Sequence, residues 1–289
     1  MDIIVNFSAG GKNGKKVKKA LVVVEKRLKE RKIEYNLHYT MHKGHGTELT
    51  RELIKKGATD IVVMGGDGSI HEVINGFSDF ERVNLGLIPC GTGNDFATAL
   101  NLPKNPEKAI DLIIDGKPQY TDFMQLPTVR GINVVGMGID VDVLVKYSKL
   151  KHKNKFSYTW CLIKTLLNFD YTDFTAQVDG EEHFYRSFIV AIANGNMYGG
   201  GIPICPIANP TDNKLSFLAV TEIKRGKILG ALIKLLKGKI LTLNQSKHID
   251  CKKVKIKVDK TPVINVDGEL YTDIPFEVEI VSNKLKMYR

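Results

Sequence analysis

Ile61-Val62-Val63-Met64-Gly65-Gly66-Asp67-Gly68-Ser69-Ile70-His71-Glu72-Val73-Ile74-Asn75 governs how the rest of this chain is read. Four apolar residues suited to a buried strand run into three glycines, one carboxylate and a hydroxyl. Ile70, Val73, Ile74 and Phe77 then recur at helical spacing, so the stretch predicts strand, tight turn and helix. That geometry points free backbone N–H groups at an anion. Gly65, Gly66 and Gly68 would let a phosphate approach the backbone, with Gly68 or Ser69 near the helix N-terminus. A plain strand-to-helix turn needs one glycine or two; three around an aspartate favour a phosphate cradle. Neither Gly-x-x-x-x-Gly-Lys-Ser/Thr nor Gly-x-Gly-x-x-Gly, the two commonest nucleotide loops, is present in the stretch.

Outward from it, the N-terminal part alternates strand and helix. Residues 3–7 predict a buried strand, Asn6 to Lys12 a polar glycine turn, and 14–31 a helix with Val17, Ala20, Leu21, Val24 and Leu28 on one face. Lys12, Lys15 and Lys16 read as a solvated helix face, or, for Lys12, as a cation for a bound phosphate. A strand over 33–40 and a helix over 47–56 follow. His42 and His45, in the loop between, read as solvated because no third metal ligand sits at useful spacing. Leu85 to Pro89 predicts another buried strand, feeding Cys90-Gly91-Thr92-Gly93-Asn94-Asp95-Phe96-Ala97. Gly91 and Gly93 flank a hydroxyl that can reach a phosphate, and Asn94 or Asp95 can cap the next helix. Two glycine loops at consecutive strand ends face one crevice in a doubly wound sheet, where such folds bind ligands.

After a helix over 106–115 the pattern changes to mostly strand. Segments 131–136, 174–179, 186–193, 215–222, 253–258 and 275–281 read as strands, interrupted by helical inserts at 141–168 and 224–241. The expected fold class is α/β plus β. A doubly wound α/β nucleotide-binding domain covers 1–121 and a β-rich sandwich covers 122–289, its last strand returning to the first domain.

Composition narrows the partners. With 43% apolar and 26% charged residues the chain is that of a folded soluble protein. The excess of 42 basic over 32 acidic residues, +10 in all, admits nucleic acid, anionic membrane or polyanionic small molecules. Nucleic acid is disfavoured because the lysines are not interleaved with stacking aromatics. Cys90, Cys161, Cys205 and Cys251 form no Cys-x-x-Cys pair, so reduced thiols in a cytoplasmic protein are expected. Met1 opens directly into a strand, leaving no room for a signal peptide, and no apolar run approaches the ~18 residues of a membrane span. Membrane would be met peripherally, through the basic stretches Lys149–Lys155 and Lys224–Lys239. For 224–239 a solvated helix packing its leucines inward is the plainer reading.

Gly65-Gly66-Asp67-Gly68-Ser69 resembles the Gly-Gly-Asp-Gly-Thr signature of diacylglycerol kinases, sphingosine kinases, NAD kinases and, more remotely, phosphofructokinases. Pro89 to Phe96 matches the Pro-x-Gly-Thr-x-Asn-Asp-Phe signature of the lipid kinases at every fixed position. Asn133 to Asp140 resembles their Asn-x-x-Gly-x-Gly-x-Asp segment. Asn194 to Gly201, with Pro206, Ala208 and Asp212, resembles a further glycine-rich stretch, and Asp267-Gly268-Glu269 a C-terminal signature. Together these marks resemble the bacterial diacylglycerol kinase-like lipid kinases over nearly the whole chain. The family's Asn-Pro-x-x-Gly turn is met by Asn6 and Gly10, with Phe7 in place of proline. Other departures are Ser69, Asn213 for glycine and His71 for asparagine, the last of most concern for nucleotide binding.

The resemblance implies an ATP-dependent lipid kinase that uses Mg²⁺. Asn6, Gly10, Thr40, Gly65, Gly66, Asp67, Gly68, Ser69 and Thr92 would bind the nucleotide. Asp67, Asp95 and Asp122 would hold Mg²⁺ or its ordered water. A structural Mg²⁺ is implied at Asp212 with Asn209 and Lys214. Glu269 is implied as the base, with Asp267 close by, and the residues alone do not rank the two. Such a base contributes about 10²–10⁴-fold in rate. Diacylglycerol at an anionic membrane surface is the first choice of acceptor, giving phosphatidic acid, and phosphatidylglycerol or a sphingoid base the second. A homodimer fits the resemblance as well. The rivals are an NAD kinase, which the Asp-Gly-Glu ending argues against, and a non-catalytic lipid- or nucleotide-binding regulator on the same fold.

Overall fold

A computed structural model describes residues 1–10, 14–150, 157–166 and 169–289. Lys12 and most of the Lys149–Lys155 stretch lie outside the described residues. The chain divides into two units, Met1–Asp122 with Ser282–Arg289, and Phe123–Val281.

The first unit alternates strand and helix. Its elements are β1 (Asp2–Val5), α1 (Lys15–Glu30), β2 (Asn36–Tyr39), α2 (His45–Lys55), β3 (Asp60–Gly65), α3 (Asp67–Gly76), β4 (Asn84–Pro89), α4 (Asp95–Ala99), α5 (Pro106–Asp115) and β5 (Pro118–Gln125), which runs past the boundary. The strands pair parallel in the order β2-β1-β3-β4. Parallel strands need both faces covered, which explains why Ile61, Val62, Val63 and Met64 are all fully buried rather than alternating. One face, through Ile3, Val5, Val62, Met64 and Ile88, packs on α1 and α5. The α1 side of that contact is the predicted stripe of Val17, Ala20, Leu21, Val24 and Leu28.

The second unit is a sandwich of mostly antiparallel strands with helices on one side. It holds β6 (Arg130–Gly131), β7 (Val134–Gly138), α6 (Ile139–Ser148), α7 (Ser157–Leu166), β8 (Thr172–Val178), β9 (Glu181–Ala193), β10 (Leu215–Thr221), α8 (Ile228–Leu236), β11 (Ser246–Cys251), β12 (Lys253–Lys257), β13 (Ile264–Val266), β14 (Glu269–Tyr271) and β15 (Glu277–Tyr288). β15 pairs antiparallel with β12 at its start, and its last residues, Lys286 and Met287, pair parallel with β4 in the first unit. The long β9 pairs with β8 along its first half and with β7 and β10 along its second. β10 shows why Phe217 to Val220 is apolar throughout: Phe217 and Ala219 face the sandwich core, Leu218 and Val220 the helical layer.

Several elements differ from the sequence reading. The strand expected over 131–136 is split into β6 and β7, because a side chain takes the intervening N–H groups. The insert expected over 141–168 contains two helices, α6 and α7. That over 224–241 is α8 with short 3₁₀ turns at 225–227 and 240–242. α8 stops where Gly238, at φ 66, and Lys239 turn their N–H groups back onto Leu235 and Lys234. β11 lies outside every segment read as a strand.

Candidate active site

The two glycine loops of the first unit touch. β3 and β4 are neighbours in parallel register up to Gly65 and Pro89, so both loops leave the same sheet edge side by side. The carbonyl of Gly65 accepts the N–H groups of Cys90 (2.7 Å) and Gly91 (3.2 Å). A Cβ on Gly66 would meet the Cα of Gly91 at 2.9 Å, and one on Gly91 the Cα of Gly66 at 2.6 Å. A Cβ on Gly65 would overlap the side chain of Ser69. Neither Gly65 nor Gly66 has positive φ, so these glycines are required by close approach within the protein, not by a left-handed turn. Gly68 alone of the three opens onto space, with no atom within 4 Å of where a Cβ would stand. α3 begins at Asp67 with Gly66 as its N-cap, which leaves the first N–H groups of the helix at the loop.

Side chains lock this arrangement. Asn6 Nδ2 donates to Ser69 Oγ at 2.9 Å, and Ser69 is buried. Gly10, at φ 77, lies against the Cys90 carbonyl, which a Cβ there would meet at 2.5 Å. Asn94 sits at φ 58 before α4, and its amide does not cap that helix. It instead closes the second loop, Oδ1 accepting from Gly91 N (2.8 Å) and Nδ2 donating to Gly91 O (3.0 Å). Asp67 Oδ1 accepts the N–H of Phe96 at 3.2 Å, tying the first carboxylate to the helix that begins with the buried Asp95. Asp122 is buried on β5, Thr92 is exposed at the loop, and Thr40 follows β2 with its N–H on Val5.

Two residues escape the sequence reading. Lys16, read there as solvated, donates from Nζ to the Gly91 carbonyl at 2.7 Å. Glu72 accepts the N–H groups of Gly44 (2.8 Å) and Gly46 (2.9 Å) and so caps α2 from α3. No local pattern marks either, since both act across about 26 to 75 positions of chain. The loop histidines also need correction: the first turn of α2 brings Glu48 to them, and the three donors lie within 4.8 Å of one another. His42 Nδ1 bonds the Lys43 carbonyl, leaving Nε2 for a ligand. His45 Nδ1, however, accepts the Met41 N–H at 3.0 Å, so its Nε2 carries the proton. The group as folded is not set to take a metal.

In the second unit, three resembling stretches meet. Asp267 and Gly268 form the two-residue turn between β13 and β14, both with positive φ (53 and 96), as a type I′ turn demands. The Asp267 carboxylate is spent on backbone: Oδ2 accepts from Ile132 (2.7 Å), Oδ1 from Asn133 (2.8 Å) and Val134 (3.1 Å). This is what divides β6 from β7. Asn194 Nδ2 donates to the Ile132 carbonyl at 2.7 Å, and Asn133 Nδ2 to that of Met197 at 2.7 Å. Asn265 Nδ2 reaches Asp140 Oδ2 at 3.1 Å. Burial pushes the Asp140 carboxyl up to about 7, with the Asn265 bond opposing. Glu269, half-buried, is the first residue of β14. The Asn209–Lys214 turn closes on itself, Asp212 N to Asn209 O at 3.4 Å and Lys214 N to Asp212 Oδ1 at 3.1 Å.

Residues 1–126 match the model of the diacylglycerol kinase catalytic domain, and residues 133–289 that of the YegS C-terminal NAD kinase beta sandwich-like domain. The chain belongs to the bacterial diacylglycerol kinase-like lipid kinase family. A Staphylococcus aureus (strain MRSA252) protein named as a putative lipid kinase is 27% identical over 248 residues, 83% of this chain and 80% of that one. The crystal structure of a putative diacylglycerol kinase from Bacillus anthracis str. Sterne matches with TM-score 0.82 at 24% identity, over 99% of this chain and 96% of that one. An Archaeoglobus fulgidus NAD kinase, in complex with ATP, matches with TM-score 0.58 at 15% identity over 100% and 94%. At these identities both structures speak for the fold alone.

The departures from the family pattern take on physical meanings. Phe7, in the place of proline, stacks on Tyr39 with ring centroids 5.4 Å apart, so packing restrains a turn that lacks the proline ring. His71 is 4% exposed on α3, as buried as Ser69 and Asp95. Asn213 adopts φ 61, the left-handed conformation for which asparagine is a tolerated substitute for glycine.

Proposed function

We propose that this lipid kinase transfers the γ-phosphoryl group of ATP to the hydroxyl of diacylglycerol, giving phosphatidic acid. One observation carries the reading: two glycine loops locked at Gly66 and Gly91, with Asp67 and Asp95 opening the helices behind them. Backbone N–H groups within 65–69 and 91–93, other than those of Ser69 and Gly91, which are bonded within the loops, take the triphosphate, with Asn6, Gly10, Thr40 and Thr92 on the nucleotide side. Asp67, Asp95 and Asp122 are the residues to hold Mg²⁺ or its ordered water, an oxygen-only set suited to a hard cation. Bound there, Mg²⁺ would neutralise phosphate charge. A second, structural Mg²⁺ would be held by Asp212 with the Asn209 and Lys214 carbonyls, an oxygen-only set. Glu269 is the proton acceptor, because Asp267 is committed to three backbone N–H groups. The acceptor hydroxyl gives its proton to the Glu269 carboxylate, its oxygen bonds to the γ-phosphorus, and ADP leaves. The acceptor lies in a bilayer, so the protein works at an anionic membrane surface from the cytoplasmic side. The Archaeoglobus fulgidus NAD kinase that shares this fold was crystallised in complex with ATP, the donor proposed for this chain.

The test is incubation with radiolabelled ATP and mixed-lipid vesicles, with sphingosine and NAD in parallel. Label in phosphatidic acid is expected. Label confined to phosphatidylglycerol, sphingosine or NAD would reassign the acceptor, and no label anywhere would leave a binding protein on a kinase fold.

A further inference from the structure

The stretch 224–239 carries six basic residues and no acidic one. A solvated helix would turn its leucines inward, and α8 does so for only part of them. Ala231, Leu232 and Leu235 enter the helical layer of the second unit, while Leu229, Ile233 and Leu236 stay 67%, 46% and 41% exposed. These three stand at i, i+4 and i+7, a single row along the helix at about 100° per residue. By the same rotation Lys237, Lys234 and Lys227 lie along one flank of that row, between it and the buried Ala231; Lys227 and Lys237 are exposed, while the half-buried Lys234 donates from Nζ to the Thr242 carbonyl at 3.1 Å. Gly226 and Gly230 have no atom within 4 Å of their outer positions, so the described chain leaves this side open. The cavity beneath α8 does not explain the outer row. It is about 20 Å³ and lined only by apolar groups such as Leu162, Phe188, Leu232 and Leu235. That is room for one water, which such a lining excludes, and far too little for an acyl chain.

We infer that α8 seats the protein on an anionic lipid bilayer, with Leu229, Ile233 and Leu236 in the acyl boundary and the flanking lysines at the headgroup phosphates. An apolar row bordered by cations and free of acids is the pattern of an interfacial helix. A nucleic acid would use the lysines and leave the leucines in water. A second copy would bring lysines against lysines. The choice of a lipid surface rests on the lipid-kinase reading above, and the experiment separates the two.

The full-length protein is sedimented with vesicles of phosphatidylcholine alone and with added phosphatidylglycerol. Two variants are compared, Leu229→Gln/Ile233→Gln/Leu236→Gln and Lys227→Gln/Lys237→Gln; glutamine preserves helix propensity, and melting by circular dichroism checks the fold. The apolar variant is expected to bind anionic vesicles at least about tenfold more weakly, and the lysine variant about fivefold more weakly per charge removed. Phosphate transfer to a short-chain, water-dispersed diacylglycerol should be unchanged in both. If the wild type transfers no phosphate to any lipid yet binds vesicles through α8, the kinase reading fails and the seating stands. Wild-type binding by the apolar variant overturns the seating whatever the kinase activity. So does a dimer that the apolar variant turns into a monomer while vesicle binding is unchanged.

Discussion

Asp267→Asn and Glu269→Gln separate a structural carboxylate from a chemical one, although the two residues stand two apart in one hairpin. Asparagine tolerates the φ of 53 at position 267, so the substitution leaves the turn unstrained and alters only the hydrogen bonds. One carboxylate oxygen becomes an NH₂ group that cannot accept. The N–H of Ile132, or those of Asn133 and Val134, then loses its partner. Bonds to a charged acceptor contribute about 1.5–3 kcal/mol each, and the remaining ones fall to neutral strength. With the carboxylate only half-buried, the expected loss is about 2–4 kcal/mol, or about 3–7 °C in melting for a chain of this size. Glu269→Gln should melt with the wild type and lose about 10²-fold or more in turnover, with ATP affinity little changed. Thermal unfolding by circular dichroism and radiolabelled phosphate transfer to diacylglycerol in mixed micelles give the two readouts. Wild-type melting of Asp267→Asn with turnover abolished would refute the reasoning, because the carboxylate would then act on substrate and not on the backbone. Normal turnover of Glu269→Gln would remove it as the base.

Gly66→Ala should weaken ATP binding and cost about 1–3 kcal/mol of stability by overpacking against Gly91, while Gly68→Ala, which meets no atom, should leave the fold intact; equal melting of the two would sink the packing account. Lys16→Met should lower ATP affinity in a titration without lowering the melting temperature much, since the Gly91 carbonyl keeps its bond from Asn94 Nδ2. The Asp140 carboxyl, pushed up to about 7 by burial, binds its proton more tightly in the folded state than in the unfolded. Its contribution is therefore full below about pH 4 and is lost as pH rises through about 7, up to about 4 kcal/mol. Asp140→Asn, which keeps an acceptor for Asn265, should flatten that part of the stability–pH curve; an unchanged slope between pH 4 and 7 would count against the buried acid.

The parts of the fold legible in the sequence are those in which burial repeats along the chain. β3 and β4 are continuous apolar runs because both their faces are covered, and α1 shows its stripe because one face is. β13 and β14, three residues each, are too short for a period, so only their Asp-Gly turn is visible. The split between β6 and β7 is invisible for another reason: its cause, Asp267, lies more than 130 positions away. The site shows the same division. The glycine signatures can be found locally, whereas Lys16 and Glu72 act through contacts that no spacing encodes.

The glycines carry the last step. A ligand cradle would explain glycine at every position of the signature, but Gly65, Gly66 and Gly91 are already required by Ser69 and by each other. Of Gly65, Gly66, Gly68, Gly91 and Thr92, it is Gly68 and the exposed Thr92 that remain to be explained by something outside the chain. The motif is thus chiefly a device for pressing two loops together, and Asn6, Lys16, Asp67 and Asn94 hold them there through bonds of 2.7–3.2 Å. A loop ordered in advance loses little further freedom when an anion arrives, so more of the interaction with phosphate is left for affinity. It follows that the locking residues and the contacting ones should fail differently. Loss of a lock loosens the loops of the free protein, while loss of a contact changes only the complex.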